Sequence, residues 1–129
     1  MKTLLWLDDA RNPLKDNWLN FSPIGKNVEI IWVKTYQEFT DHIMTYGLPD
    51  AICFDYDLGS DIENLGFAIG LSKEKARKLK QETLTGYDCA KWLIDYCVKT
   101  KNDLPEWNIQ SANPVGKENI KNLLLDFKK

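Results

Sequence analysis

Three apolar runs in this chain each lead into a cluster of polar, chemically useful residues. Leu4-Leu5-Trp6-Leu7 runs into Asp8-Asp9-Ala10-Arg11, and Ala51-Ile52-Cys53-Phe54 runs into Asp55-Tyr56-Asp57-Leu58-Gly59. Trp107-Asn108-Ile109 leads to Ser111-Ala112-Asn113-Pro114-Val115-Gly116-Lys117. Apolar runs of this length read as buried strands of a parallel sheet. In an open parallel α/β sheet, ligands bind outside the carboxyl ends of the strands. The three clusters are therefore expected at one rim, with two acidic groups facing a hydroxyl, an amide and a helix start. That set suits a hard divalent cation and a phosphate.

The rest of the chain supplies the helices such a sheet needs. The first strand is expected at about 3–8, and Val28 to Val33, rich in β-branched residues, reads as the second. Thr35 and Glu38 open a helix as a capping box, Phe39, Ile43 and Tyr46 give it an apolar stripe, and Gly47 and Pro49 end it. The third strand is expected at about 51–57 and the fourth at about 107–111. Between them, about 86–99 reads as a helix with Ala90, Leu93, Ile94 and Cys97 on one face. Asn113-Pro114 opens a last helix that buries Ile120, Leu123, Leu124 and Phe127. Residues 11–27 are less regular, and Asn12-Pro13 suits the start of a short helix. Alternating strands and helices imply right-handed crossovers, hence one α/β domain over 1–129 with parallel strand order 2-1-3-4.

Residues 60–85 break this rhythm. Ser72 suits the cap of a helix through Lys73, Lys75, Arg77, Lys78 and Lys80, five positive charges in eight residues. Such a stretch is either a solvated helix face or a basic lid over an anionic ligand.

Composition narrows the function classes. A net charge of -2 and a pI of about 5.4 give no strong nucleic-acid signal. The N-terminal apolar run is too short for a membrane span or a signal peptide, so no membrane is expected. Cys89 and Cys97 lie eight residues apart on one expected helix and cannot bridge, so with Cys53 they read as reduced core thiols of a cytoplasmic protein. No zinc-like spacing of Cys or His is present.

The residues permit a specific chemistry. Asp8, Asp9, Asp55 and Asp57 supply carboxylates from two adjacent strand ends, and these repel one another unless a cation lies between them or one holds a proton. Mg²⁺ or Mn²⁺ fits such a set. Asp55 and Asp57 share a side if the strand stays regular that far. Some of these aspartates also suit plain turn and cap roles. The Arg11 fork suits either a phosphate clamp or a structural pair with an aspartate. Ser111 suits donation to a phosphoryl oxygen. Asn113 caps, and the amides of Val115, Gly116 and Lys117 are expected to face outward to an anion, with Lys117 adding a charge. An ordinary helix cap explains the same stretch. His42, the single histidine, sits near a helix core stripe far from the rim and reads as a packing or surface residue. The five tryptophans read as packing residues.

The acidic pair after the first strand, the aspartate after the third and the Ser-Ala after the fourth resemble response-regulator receiver domains. That resemblance implies metal binding by Asp8 and Asp9, phosphate acceptance by Asp55, a hydroxyl role for Ser111 and a further metal ligand from the Asp57 carbonyl. A closer resemblance is to the cyclic-phosphate processing receiver domains. It is carried by four blocks in order: Leu7 to Pro13, Asp55 to Gly59, Thr85 to Leu93, and Ser111 to Gly116. It implies a receiver-like three-layer sandwich of about four strands flanked by helices, and the helical insert at about 60–85 lies outside the likeness. It also implies a role in handling cyclic or other nucleotide phosphates. Members of that family carry histidines where this chain has Tyr56 and Gln110. A standard receiver has a fifth strand with a phosphoryl-contacting lysine, for which Lys117 is the nearest substitute here.

Three functions follow as expectations. The first is a metal-dependent phosphate-handling protein, in the enzymatic case a Mg-dependent phosphoesterase using Asp55, Arg11 and Ser111, with Asn113, Gly116 and Lys117 holding the nucleotide or other phosphate ligand. The second is a signalling receiver phosphorylated on Asp55. The third is a non-catalytic pseudo-receiver that binds a nucleotide or a protein partner, a homodimer through the fourth strand's edge included.

Overall fold

The strands form where the apolar runs fall. In the computed structural model, which describes residues 1–58 and 84–127 together with Gly70, Ser72 and Lys75, β1 (Lys2–Leu7), β2 (Val28–Val33), β3 (Ala51–Phe54) and β4 (Glu106–Ile109) make one parallel sheet. Its order is β2-β1-β3-β4, as expected. Three helices complete the described frame: α1 (Tyr36–Tyr46), α2 (Gly86–Thr100) and α3 (Pro114–Phe127).

The helix boundaries follow local hydrogen bonding. Thr35 Oγ1 accepts from the Glu38 N–H at 3.1 Å, while the Glu38 carboxylate reaches the Lys34 amide instead of that of Thr35. Gly47, at φ 85°, closes α1 with its N–H on the Ile43 carbonyl at 2.8 Å. Thr85 and Asp88 form a complete capping box at the start of α2.

Among the described residues, the two faces of the sheet are covered by different elements. Leu5, Leu7, Ile52, Phe54 and Ile109 pack on one face with Phe39 and Ile43 of α1, Ala90 and Leu93 of α2, and Ile120 and Leu124 of α3. The alternate residues Leu4, Trp6, Ala51 and Cys53 face the other way. Their cover comes from residues 18–24 (Trp18, Leu19, Phe21 and Ile24) and from Val28, Ile30 and Trp32 of β2. Among the described residues, the helical element of this layer is a 3₁₀ turn, Trp18–Phe21.

Three local expectations are corrected. No helix starts at Asn12-Pro13: the Asn12 side chain accepts from the Leu14 N–H at 2.9 Å and its carbonyl from Lys15 at 3.0 Å, which makes a turn. The third strand stops at Phe54 and not at about 57, because the Tyr56 N–H folds back onto Asp55 Oδ1 at 2.8 Å. Asp55 and Asp57 therefore do not share a side, and Asp55 is buried while Asp57 is exposed.

The cysteines are free and buried, as expected, and burial pushes the Cys53 thiol up to about 12. His42 packs against Tyr46 with the rings tilted by 36° and their centroids 4.9 Å apart. It lines a cavity of about 540 Å³ with Thr3, Glu29 and Pro49, at the end of the sheet away from the rim. Ser72 Oγ accepts from the Lys75 N–H at 3.2 Å, as a cap would. The rest of the helical insert expected at 60–85, with its proposed basic lid, lies outside the described residues. Among the described residues no helix is long and apolar enough to cross a membrane.

Candidate metal and phosphate site

The register of the sheet assembles the site. Leu7 lies level with Val33 and Phe54, and Phe54 with Ile109, so the four strands end together. Pairing runs on for one more residue: Asp8 N–H donates to the Val33 carbonyl at 3.0 Å, Asp55 N–H to Leu7 at 2.9 Å, and Gln110 N–H to Phe54 at 3.0 Å. Asp8, Asp55 and Gln110 are thus the first residues past three adjacent strands, which lie about 4.8 Å apart. Each follows by two a residue of the face that packs against residues 18–24 (Trp6, Cys53 and Asn108), so the alternation turns all three toward one place.

Asp8, Asp9 and Asp55 are all buried, and each offers a carboxylate oxygen within 4.8 Å of the others. Burial raises the Asp55 carboxyl most, and the neighbouring Asp8 raises it further. The Arg11 charge opposes this, Asp9 adds to it, and the Tyr56 N–H opposes it, leaving the group at about 7. Arg11 Nη1 stands 3.4 Å from Asp8 Oδ2 and 3.5 Å from Asp55 Oδ2. Of its two expected roles, the structural pair is the one the geometry displays. The Arg11 guanidinium also lies over the Trp18 ring, 4.9 Å from its centroid.

The loop after β1 is tightly held. Asp8 Oδ1 accepts from the N–H groups of Ala10 and Arg11 at 3.0 and 2.9 Å, so one oxygen of Asp8 serves the turn while the other faces the site. Two indoles grip the same loop: Trp6 Nε1 donates to the Arg11 carbonyl at 3.0 Å, and Trp32 Nε1 to the Asp8 carbonyl at 2.7 Å.

The turn after β3 is pinned by two glycines. Gly86 donates its N–H to the Tyr56 carbonyl at 2.8 Å, and a Cβ there would collide with the Asp55 carbonyl. At Gly116, a Cβ would fall inside the Tyr56 ring. The space that Gly116 leaves open is thus filled by a side chain of the protein, not kept for a ligand.

Ser111, Asn113, Gly116 and Lys117 form one capping unit at the start of α3. Ser111 Oγ accepts from the Asn113 N–H at 3.1 Å, and Asn113 Oδ1 from the Gly116 N–H at 3.0 Å. The Lys117 N–H makes a regular helical bond to the Asn113 carbonyl at 2.9 Å. The expectation that the Gly116 and Lys117 amides face outward is therefore corrected, because the cap itself uses them. The Lys117 side chain is exposed. The structure brings Asp8, Asp9, Asp55 and Arg11 together, and Asp57 stands outside the carboxylate group.

Gln110, marked in the sequence only as a position where family members carry a histidine, has contacts that the sequence did not foretell. It is 3% exposed, and its Nε2 donates to the Leu7 carbonyl at 3.0 Å and to Asp8 Oδ2 at 3.5 Å. The signal was its place directly after the fourth apolar run, as Asp8 and Asp55 follow theirs. The tryptophans carried no such signal, since nothing in a sequence tells a packing indole from one that anchors a loop.

A parallel four-stranded sheet in the order β2-β1-β3-β4, flanked by helices and carrying an acidic rim, is the architecture of a receiver-like domain. A family model described as the cyclic-phosphate processing receiver domain matches residues 3–126, and the chain belongs to that family. No curated protein and no solved structure matches the chain.

Proposed function

We propose that this chain is a divalent-cation-dependent phosphate-handling protein that acts on or binds cyclic or other nucleotide phosphates. The observation that carries the reading is the convergence of three buried carboxylates within 4.8 Å. Such a donor set fits a hard cation: it supplies a few charged oxygens and leaves the other positions to water and phosphate. Asp8, Asp9 and Asp55 would hold Mg²⁺ or Mn²⁺, which when bound draws electron density from a phosphoryl oxygen.

The chain's own residues supply the rest. Arg11 is 22% exposed at its side chain and engages the aspartates through Nη1, so its remaining N–H donors suit the oxygens of a phosphate. The Ser111 oxygen accepts from Asn113, which orients its proton toward other acceptors. Family membership supports the phosphate assignment. The reaction we favour is hydrolysis of a phosphate ester by water, with Asp55 as a site carboxylate and not as the attacking group.

Incubation with a panel of cyclic nucleotides and Mg²⁺ or Mn²⁺ tests the proposal. Turnover or binding that disappears in Asp9→Asn is expected, and neither across the panel refutes it. A mass increase after acetyl phosphate treatment that is lost in Asp55→Asn would make Asp55 the phosphate acceptor instead. The engagement of the Gly116 and Lys117 amides and of Arg11 favours one further reading, a non-catalytic pseudo-receiver. Partner or nucleotide binding that survives Asp55→Ala without turnover would select it.

A further inference from the structure

We infer that Gln110 is a positioning residue of the cation site: Nε2 fixes Asp8, and Oε1 is a neutral oxygen acceptor for the hydrated cation. This rests on the cation reading given above. The Gln110 side chain leaves the end of β4 and crosses past β3 to reach β1, where Nε2 meets the Leu7 carbonyl at 3.0 Å and Asp8 Oδ2 at 3.5 Å. Both partners are acceptors, so the nitrogen of the amide must face them, and a flipped amide would set oxygen against oxygen.

That orientation fixes where Oε1 is left. It is fully buried and has no hydrogen-bond partner among the described residues. Buried carbonyl oxygens are nearly always satisfied, because stripping one of water without replacement is unfavourable. The side chains that Gln110 joins cannot satisfy it when they are ionised, since the carboxylates of Asp8, Asp9 and Asp55 are then acceptors too. Arg11 Nη1 is already shared between Asp8 and Asp55. An acceptor-rich pocket of this kind is completed by a cation and the water it carries. Hard cations take amide oxygens directly or through bound water. A neutral amide also adds an oxygen without adding a fourth negative charge to three that already repel.

Two measurements on the full chain test this. The first is the Mn²⁺ affinity of wild type and Gln110→Met, by calorimetry, beside the metal-free unfolding midpoint of each. Loss of an outer-shell partner lowers metal affinity about 10–100-fold, and that loss is expected for Gln110→Met. A purely structural role would lower the metal-free midpoint and leave Mn²⁺ affinity at the wild-type value, which overturns the inference. The second needs no variant. The chain has three glutamines, Gln37, Gln81 and Gln110, so selective ¹⁵N-glutamine labelling gives three side-chain amide signals. Titration with Mg²⁺ should shift the Gln110 signal along the same binding curve as the calorimetric one, and an unmoved signal at saturation overturns the inference. If wild type binds neither ion, the cation reading itself falls and Gln110 with it. If wild type binds while both Gln110 readouts stay unchanged, only the Gln110 assignment falls.

Discussion

Replacing Asp55 by Asn isolates the electrostatic cost of three carboxylates sharing one rim. In the metal-free protein the Asp55 carboxyl is held up to about 7, by burial first and then by Asp8. In the unfolded chain an aspartate titrates near 3.9. A folded value above the unfolded one means that the folded protein binds more protons between these limits. The contribution to stability is therefore fully present below about pH 4 and is lost as pH rises through 7. One pH unit of difference corresponds to about 1.4 kcal/mol, so the ionised carboxylate costs the fold on the order of 4 kcal/mol at pH 8. Asparagine keeps the shape and removes the charge, and it gives up the 3.5 Å Arg11 contact, an attraction already counted in the raised value. In EDTA at pH 8, Asp55→Asn should exceed wild type by about 2–4 kcal/mol, and the gap should close toward pH 4. Urea unfolding at a series of pH values measures it, with unchanged m-values confirming that the comparison is of stability. A variant no more stable than wild type at pH 8, or a gain that does not vary with pH, would refute the reasoning.

Other outcomes follow from the same contacts. Mg²⁺ at one hundred times its dissociation constant should stabilise wild type by about 2.7 kcal/mol, and Asp9→Asn should lose most of that gain. A wild-type melting midpoint indifferent to Mg²⁺ and Mn²⁺ would rule the cation out. Gly116→Ala pushes a methyl into the Tyr56 ring and should destabilise by about 1–3 kcal/mol, while adding Tyr56→Ala should return part of the loss in a double-mutant cycle. Thr85→Ala removes the α2 cap and should cost about 1 kcal/mol in chemical unfolding, with no loss of Mn²⁺ affinity.

The fold was legible because its signals are local. Apolar runs marked β1 and β3, β-branched residues marked β2, Trp107 and Ile109 marked β4, Thr35 and Gly47 bounded α1, and alternation with helices pointed to a parallel sheet, found in the expected order β2-β1-β3-β4. The acidic half of the site was legible for the same reason, since Asp8 and Asp55 directly follow buried strands. What could not be read depends on contacts between distant segments. The use of Gly116 is set by a tyrosine sixty residues earlier in the chain, and that of Gly86 by the Asp55 carbonyl. Gln110 gained its meaning only when the register put its amide beside Leu7 and Asp8. The Asp57 side chain falls outside the carboxylate group because the strand on which the alternation depends ends at Phe54, where the Tyr56 N–H bonds to Asp55.

The tryptophans around the rim give the chain an optical reporter of its own. Trp6 and Trp32 hold the loop that carries Asp8 and Asp9, and Trp18 lies beneath the Arg11 charge. Any ligand that draws Arg11 off its aspartates must also lift a positive charge from an indole. Binding at the rim should therefore register in the protein's unlabelled fluorescence, and Trp18→Phe should silence most of that response.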